Sequence, residues 1–126
     1  MITLPSSRRT GSNLRARVDG DRVRQATENL VDNALRHTPR GGEVELRAER
    51  DDSRLRIVVS DSGSGFPEDL LDRAFEPFAR ADDDREGDGA GLGLTIVRAV
   101  AESHGGSATA RNIANGGASV CLDLPT

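Results

Sequence analysis

From about Asp21 to Thr38 the chain carries a helical pattern with a one-sided apolar stripe. Val23, Ala26, Leu30, Val31 and Ala34 recur at the spacing of a single buried helix face. Such a helix must lay that face on another layer. Asp19-Gly20-Asp21 reads as the turn before it, and either aspartate can cap its start. Pro39 disfavours helical geometry in the residue before it, so the pattern ends by Thr38. Ahead of the helix, Leu14, Ala16 and Val18 alternate with Arg15 and Arg17, which predicts a short strand. Ile2 and Leu4 could open an edge strand, although Pro5 and the run Ser6-Ser7-Arg8-Arg9 work against it.

The layer that receives the helix is written in period two. Val44, Leu46 and Ala48 alternate with Glu43, Glu45, Arg47 and Glu49, and Leu55, Ile57 and Val59 alternate with Arg54 and Arg56. Asp51-Asp52-Ser53 turns the chain between them, so the pair reads as an antiparallel hairpin. A short helix is predicted over Pro67 to Phe75. Ala79 to Gly89 is polar and contains the run Asp82-Asp83-Asp84, which reads as a mobile loop with solvated charges. A second clear helix is predicted from about Leu92 to His104, with Ile96, Val97, Val100 and Ala101 inward and Gly105-Gly106 as its stop. Ala108 and Ala110 suggest a strand. Asn115-Gly116-Gly117 turns the chain, and Val120, Leu122 and Leu124 alternate in the last strand. The fold class expected is α/β of the α+β type: a two-layer sandwich of a mixed, mostly antiparallel sheet with about three helices on one face. Residues 1–12 are expected to be an N-terminal extension or edge strand, and residues 13–126 one domain.

Composition narrows the function classes. No apolar run in the 126 residues approaches the ~20 of a membrane-spanning helix, and the start of the chain does not resemble a signal peptide. A net charge of −4 disfavours nucleic acid as a partner. Cys121 is the sole cysteine, which excludes an internal disulfide, disfavours a cysteine-based metal cluster and points to a reducing, cytoplasmic setting.

Four stretches carry chemistry. On the first helix, Asn29 and Asn33 stack one turn apart, and Arg36 and His37 extend the stripe. Asn offers a neutral oxygen to a hard cation such as Mg²⁺, and Arg offers donors to phosphate. A plain solvated helix face is the competing reading. In Asp61-Ser-Gly-Ser-Gly-Phe66, a carboxylate at a strand end can accept from an exocyclic amino group, and Gly63 and Gly65 let backbone pass close to a flat ligand. An ordinary glycine-rich turn is the competing reading. Phe75-Glu-Pro-Phe78 sets two aromatics before the polar loop, as an anchor, as core filling, or as both. Gly89-Ala-Gly-Leu-Gly-Leu94 opens a helix with free N–H groups, an anion site in principle. It is neither a dinucleotide fingerprint nor a Walker A loop, since no strand precedes it and no Lys-Ser/Thr pair follows.

In this order and spacing the four stretches resemble the N, G1, F and G2 boxes of the ATP-binding catalytic domain of sensor histidine kinases. That family belongs to the ATPase group of Hsp90, DNA gyrase B and MutL, whose fold is the Bergerat type. The resemblance covers about Asp19 to Pro125. It implies ATP and Mg²⁺ as cofactors, with Asn33 as the Mg²⁺ ligand and Asn29 on the turn before it. Arg36 and His37 match the pair facing the nucleotide; Asn33, Asn29 and Arg36 would carry catalysis. Asp61 would read the adenine amino group, in a pocket shaped by Gly63, Gly65 and Phe66. Phe78 matches the F box, and Arg80 just after it is placed to reach the phosphates. Ala79 to Asp88 would form the ATP lid. Gly89, Gly91, Leu92, Gly93 and Leu94 match the G2 segment around the phosphates, and Ser119 stands where the family often has a small hydroxyl residue in the closing strand.

Two departures from the wider group sharpen the expectation. The hydrolysing relatives carry a glutamate one turn before the metal asparagine, where this chain has Asn29, which cannot act as a base. Glu28 is adjacent but about 100° around the helix. Transfer of the γ-phosphoryl group is therefore favoured over hydrolysis, because transfer needs mainly positioning and charge neutralisation. The second departure is that His37 and His104 are the only histidines, and neither lies on a phosphoacceptor hairpin. His37 faces the ATP site, and His104 reads as a C-terminal cap or dipole partner. The expected partners are thus a histidine-bearing dimerisation and phosphoacceptor domain and a downstream response regulator. The chain would be an excised catalytic domain or half of a split kinase, itself cytoplasmic even where the parent is a membrane sensor. An anti-sigma-type serine kinase and a non-catalytic ATP-binding regulatory module are the alternatives.

Overall fold

The computed structural model describes residues 9–10, 18–51, 53–76, 93–114 and 116–126. The first helix, α1, spans Gly20–Arg36. Asp19 caps it, its carboxylate accepting from the Arg22 N–H at 3.2 Å. Val23, Ala26, Leu30 and Ala34 are buried along one side, as the periodicity predicts.

The sheet is built from β1 (Arg9–Thr10), β2 (Val44–Arg50), β3 (Arg54–Asp61), β4 (Ser107–Asn112) and β5 (Ala118–Pro125). Its order is β1-β2-β3-β5-β4, and all four pairings are antiparallel, the limiting case of the mostly antiparallel sheet expected. β5 inserts between β3 and β4, so the hairpin β2-β3 and the hairpin β4-β5 share one sheet. The Asp51 carboxylate closes the first hairpin by accepting from the N–H groups of Ser53 and Arg54 at 3.1 and 3.0 Å.

Among the described residues two further helices follow, α2 (Glu68–Leu71) and α3 (Gly93–Ser103). The helix predicted over 67–75 is a single turn that relaxes into turns through Phe75. α3 packs on α1, and both cover the inward faces of β3 and β5. Leu30, Val59, Val97, Val100, Leu122 and Leu124 are the large fully buried side chains. Such aliphatic packing is the main drive to fold. Gly105, at φ 76, ends α3, and the Gly106 N–H reaches back to the Ala101 carbonyl at 2.8 Å.

His104 does more than cap. Its Nε2 accepts the backbone N–H of Asp19 at 3.0 Å, tying the end of α3 to the start of α1. Nε2 must then be unprotonated, so the neutral ring carries its proton on Nδ1 and donates to the Val100 carbonyl at 2.9 Å. His104 is thus the cap expected at the end of α3, and it adds a long-range tie to α1.

Two expectations lie outside the described residues: the edge strand at Ile2 and Leu4, and all but the end of the strand at Leu14–Val18. The short strand described before α1 is instead Arg9–Thr10, at the sheet edge.

Candidate functional site

Asn29 and Asn33 both stand half-buried on α1. The amide nitrogen Nδ2 of Asn29 is buried and has no hydrogen-bond partner among the described residues. A buried donor left in this state costs about 1–3 kcal/mol. Beside it lies the start of α3: a Cβ added to Gly93 would come within 4.0 Å of the Asn29 Cβ. The last glycine of the G2 stretch and the first asparagine of α1 are therefore neighbours.

At the other end of the same stripe, α1 closes on His37, whose N–H bonds back to the Asn33 and Ala34 carbonyls. The His37 carbonyl packs directly on Gly63, leaving no room there for a side chain. Arg36 is exposed on the last turn and His37 is half-buried. Two helical turns, about 12 Å, thus join the G2 glycine to the glycine loop after β3.

That loop hangs from Asp61, the last residue of β3, which is only 9% exposed. One Asp61 carboxylate oxygen accepts the Gly63 N–H at 2.9 Å. Gly65 follows at φ 81, a left-handed conformation that favours glycine. Gly117, at φ 96 in the turn just before β5, presses on the Asp61 carbonyl. Phe66 is half-buried against the core.

Leu94 is buried in the core, so only its backbone faces a ligand at the start of α3. Ser119 does not share the Asp61 side of the sheet. Register pairs Asp61 with Ala118, whereas Ser119 pairs with Ser60 on the opposite face and accepts its hydroxyl at 3.2 Å. Ser119 is therefore corrected out of the site, because successive strand residues point to opposite faces. Phe78, Arg80, Gly89, Gly91 and Leu92 lie outside the described residues, as does the segment expected to form a lid.

Sequence reasoning missed two residues. Thr95, in the first turn of α3, donates its hydroxyl to the Phe75 carbonyl at 2.9 Å, tying the F stretch to the G2 helix. Asn112 binds the Phe66 backbone from β4. A hydroxyl in a first helical turn was the available signal for Thr95; nothing local marks Asn112.

The opposite face of the sheet holds a shallow concavity of about 530 Å³, lined in part by Arg47, Glu49, Arg56, Cys121 and Asp123. Burial raises the Asp123 carboxyl, but hydrogen bonds from Arg54 at 2.6 Å and Arg56 at 3.1 Å outweigh it and hold Asp123 below its ordinary range. Burial pushes the Cys121 thiol up. On this surface Arg47 pairs with Glu49 at 3.8 Å, and Arg54 and Arg56 pair with Asp123.

Comparison with known proteins agrees with the geometry. Residues 18–126 match the family described as histidine kinase-, DNA gyrase B-, and HSP90-like ATPase. Sensor histidine kinase component HK1 of Mycobacterium tuberculosis is 42% identical over 109 residues, covering 86% of this chain and 64% of that protein. Sensor protein PfeS of Pseudomonas aeruginosa is 42% identical over 116 residues, 92% of this chain and 25% of that protein. The chain thus spans less than two thirds of the length of these curated relatives. Among solved structures, the mycobacterial sensor histidine kinase MprB superposes with a TM-score of 0.77 at 32% identity, over 87% of this chain and 76% of that one. Full-length ShkA in complex with AMPPNP superposes with a TM-score of 0.72 at 35% identity, over 85% of this chain and 22% of that one. With the helix stripe, the glycine loop at Asp61 and the start of α3 beside Asn29 on one side of an antiparallel sheet, the chain belongs to the histidine kinase-, DNA gyrase B- and HSP90-like ATPase family and has the Bergerat fold of histidine kinase ATP-binding domains.

Proposed function

We propose that this domain binds ATP with Mg²⁺ and donates the γ-phosphoryl group to a histidine on a separate dimerisation and phosphoacceptor domain, from which a response regulator receives it. The observation that carries the reading is the unsatisfied, buried Asn29 amide beside Gly93. A fold keeps such a donor at a cost, and a polar ligand running along α1 would satisfy it. The adenine amino group would donate to Asp61, whose position the Gly63 N–H fixes. Gly63 and Gly65 leave flat backbone for the base. Asn29 and Asn33 lie along α1 toward the phosphate end, and the exposed Arg36, on the last turn, would reach the phosphates through its long side chain. Asn33 offers one neutral oxygen, which suits a cation that keeps several waters and shares substrate phosphates. When bound, Mg²⁺ neutralises charge on the transferring phosphoryl group. The free N–H groups at the start of α3 favour anionic oxygens.

No carboxylate stands at position 29, and Glu28 is exposed and turned away around the helix. The domain alone should therefore turn over little ATP, since no side chain there can take a proton from water. We place the site on the cytoplasmic side, where ATP is available.

Calorimetric titration with a non-hydrolysable ATP analogue, with and without Mg²⁺, tests the reading on this chain and on Asp61→Ala. The expected result is Mg²⁺-dependent binding, weakened roughly 10- to 100-fold by the substitution, as for loss of a hydrogen bond to a charged group. Equal affinity for the two proteins would remove adenine from Asp61. Adding a histidine-bearing helical hairpin and following γ-phosphate label onto its histidine tests the transfer.

A further inference from the structure

We infer that Asn112 is a positioning residue for the adenine loop, acting through the backbone of Phe66; this rests on the nucleotide reading above. Asn112 is the last residue of β4. Register sets it opposite Ala118, and Ala118 opposite Asp61, so all three share one row and one face of the sheet. Asn112 thus stands two strands from Asp61, about 10 Å away.

The loop from Ser62 to Phe66 bridges that gap. Its near end is held by the Asp61 carboxylate, which accepts the Gly63 N–H at 2.9 Å. Its far end is held by Asn112 alone among the described side chains. Oδ1 accepts the Phe66 N–H at 2.8 Å, and Nδ2 donates to the Phe66 carbonyl at 2.9 Å. A side-chain amide is a neutral donor and acceptor in one plane, so it imitates the edge of a strand. Between the two anchors, Gly65 sits at φ 81, and a Cβ there would meet Asn112 Oδ1 at 2.8 Å. Glycine and asparagine are therefore matched: the clamp closes because residue 65 has no side chain.

Both bonds are exposed, so they add little to global stability. They decide instead where the loop rests. Without them the chain from Ser64 to Phe66 samples more conformations, and apparent affinity falls with the fraction that remains competent.

The test uses the whole chain, Asn112→Ala and Asn112→Asp, titrated with a non-hydrolysable ATP analogue and followed by amide hydrogen exchange and thermal unfolding. The aspartate keeps the acceptor but sets a negative oxygen against the Phe66 carbonyl, so it should weaken binding at least as much as the alanine, and binding as tight as that of the unchanged chain would overturn the inference. The expected result is roughly 5- to 10-fold weaker binding in Asn112→Ala, with faster exchange at the Phe66 amide and a nearly unchanged midpoint of unfolding. Unchanged binding in Asn112→Ala would overturn the inference. So would weaker binding with faster exchange throughout β3 and β5, since Asn112 would then only support the fold. No binding by the unchanged chain would overturn the nucleotide reading and this inference with it; that titration separates the two failures.

Discussion

Two residues at the site are constrained in opposite ways, one by a missing partner and one by a close contact. Asn29 keeps a buried amide without a partner, which a protein selected for stability alone would replace. Asn29→Leu should therefore raise the unfolding midpoint by roughly 2–5 °C, as for about 1 kcal/mol in a domain this size. The same change should abolish binding of the ATP analogue. Loss of both stability and binding would mean that the amide has a structural role instead. Gly63 is constrained by contact rather than by dihedral, since a Cβ would fall on the His37 carbonyl. Gly63→Ala should destabilise by about 2–3 kcal/mol in urea unfolding, and it should weaken nucleotide binding because the loop must move off α1. The Gly-rich composition of the loop was plain in the sequence. That residue 63 serves helix contact and residue 65 a left-handed turn was not, because the distinction depends on what each residue touches.

At the scale of elements, the helices are joined at their ends as well as along their faces. The His104 to Asp19 bond links the end of α3 to the cap of α1, the helix that carries Asn29 and Asn33. His104→Phe keeps the ring volume but removes the acceptor, and water takes over the exposed Asp19 N–H. At most about 0.5 kcal/mol should be lost in urea unfolding, with the m-value unchanged. The cost should fall on the entry to α1 and be visible as faster hydrogen exchange in its first turn. A histidine just before Gly105-Gly106 looked like a local cap, since helix ends attract such residues. Its partner lies 85 residues away, so only packing of α1 on α3 could bring the pair together.

On the scale of the whole molecule, the sheet divides two functions between its faces. The helix-covered face holds the core and the candidate site, and the other holds Asp123 between Arg54 and Arg56. Because Asp123 is held below its ordinary value, it adds stability at pH above the usual carboxylate range. That stability disappears as pH falls through the lowered native value. Asp123→Asn should therefore lower the unfolding midpoint at pH 7 by roughly 2–4 °C, the modest size reflecting solvent screening of these part-exposed pairs. The difference between the two proteins should close in strong acid. A gap that persists at low pH would assign it to packing. Burial raises the Cys121 thiol on the same face, so alkylation there at neutral pH should be slow compared with a free thiol peptide.

α1, the hairpin β2-β3, α3 and β5, with their inward faces, were determined by the sequence alone, because periodicities of 3.6 and 2 follow from local backbone geometry and burial. Asn33, Asp61 and the glycine stretches also stood out there, since their residue types carry ligand chemistry without reference to neighbours. Tertiary structure decided what depends on register and long-range contact. It placed β5 between β3 and β4, which turned Ser119 away from Asp61 and put Ala118 opposite it. It also set Asn112 against Phe66, 46 residues apart, and Gly93 against Asn29. A one-residue shift in register exchanges the faces of a strand, and no local pattern specifies which strand lies alongside.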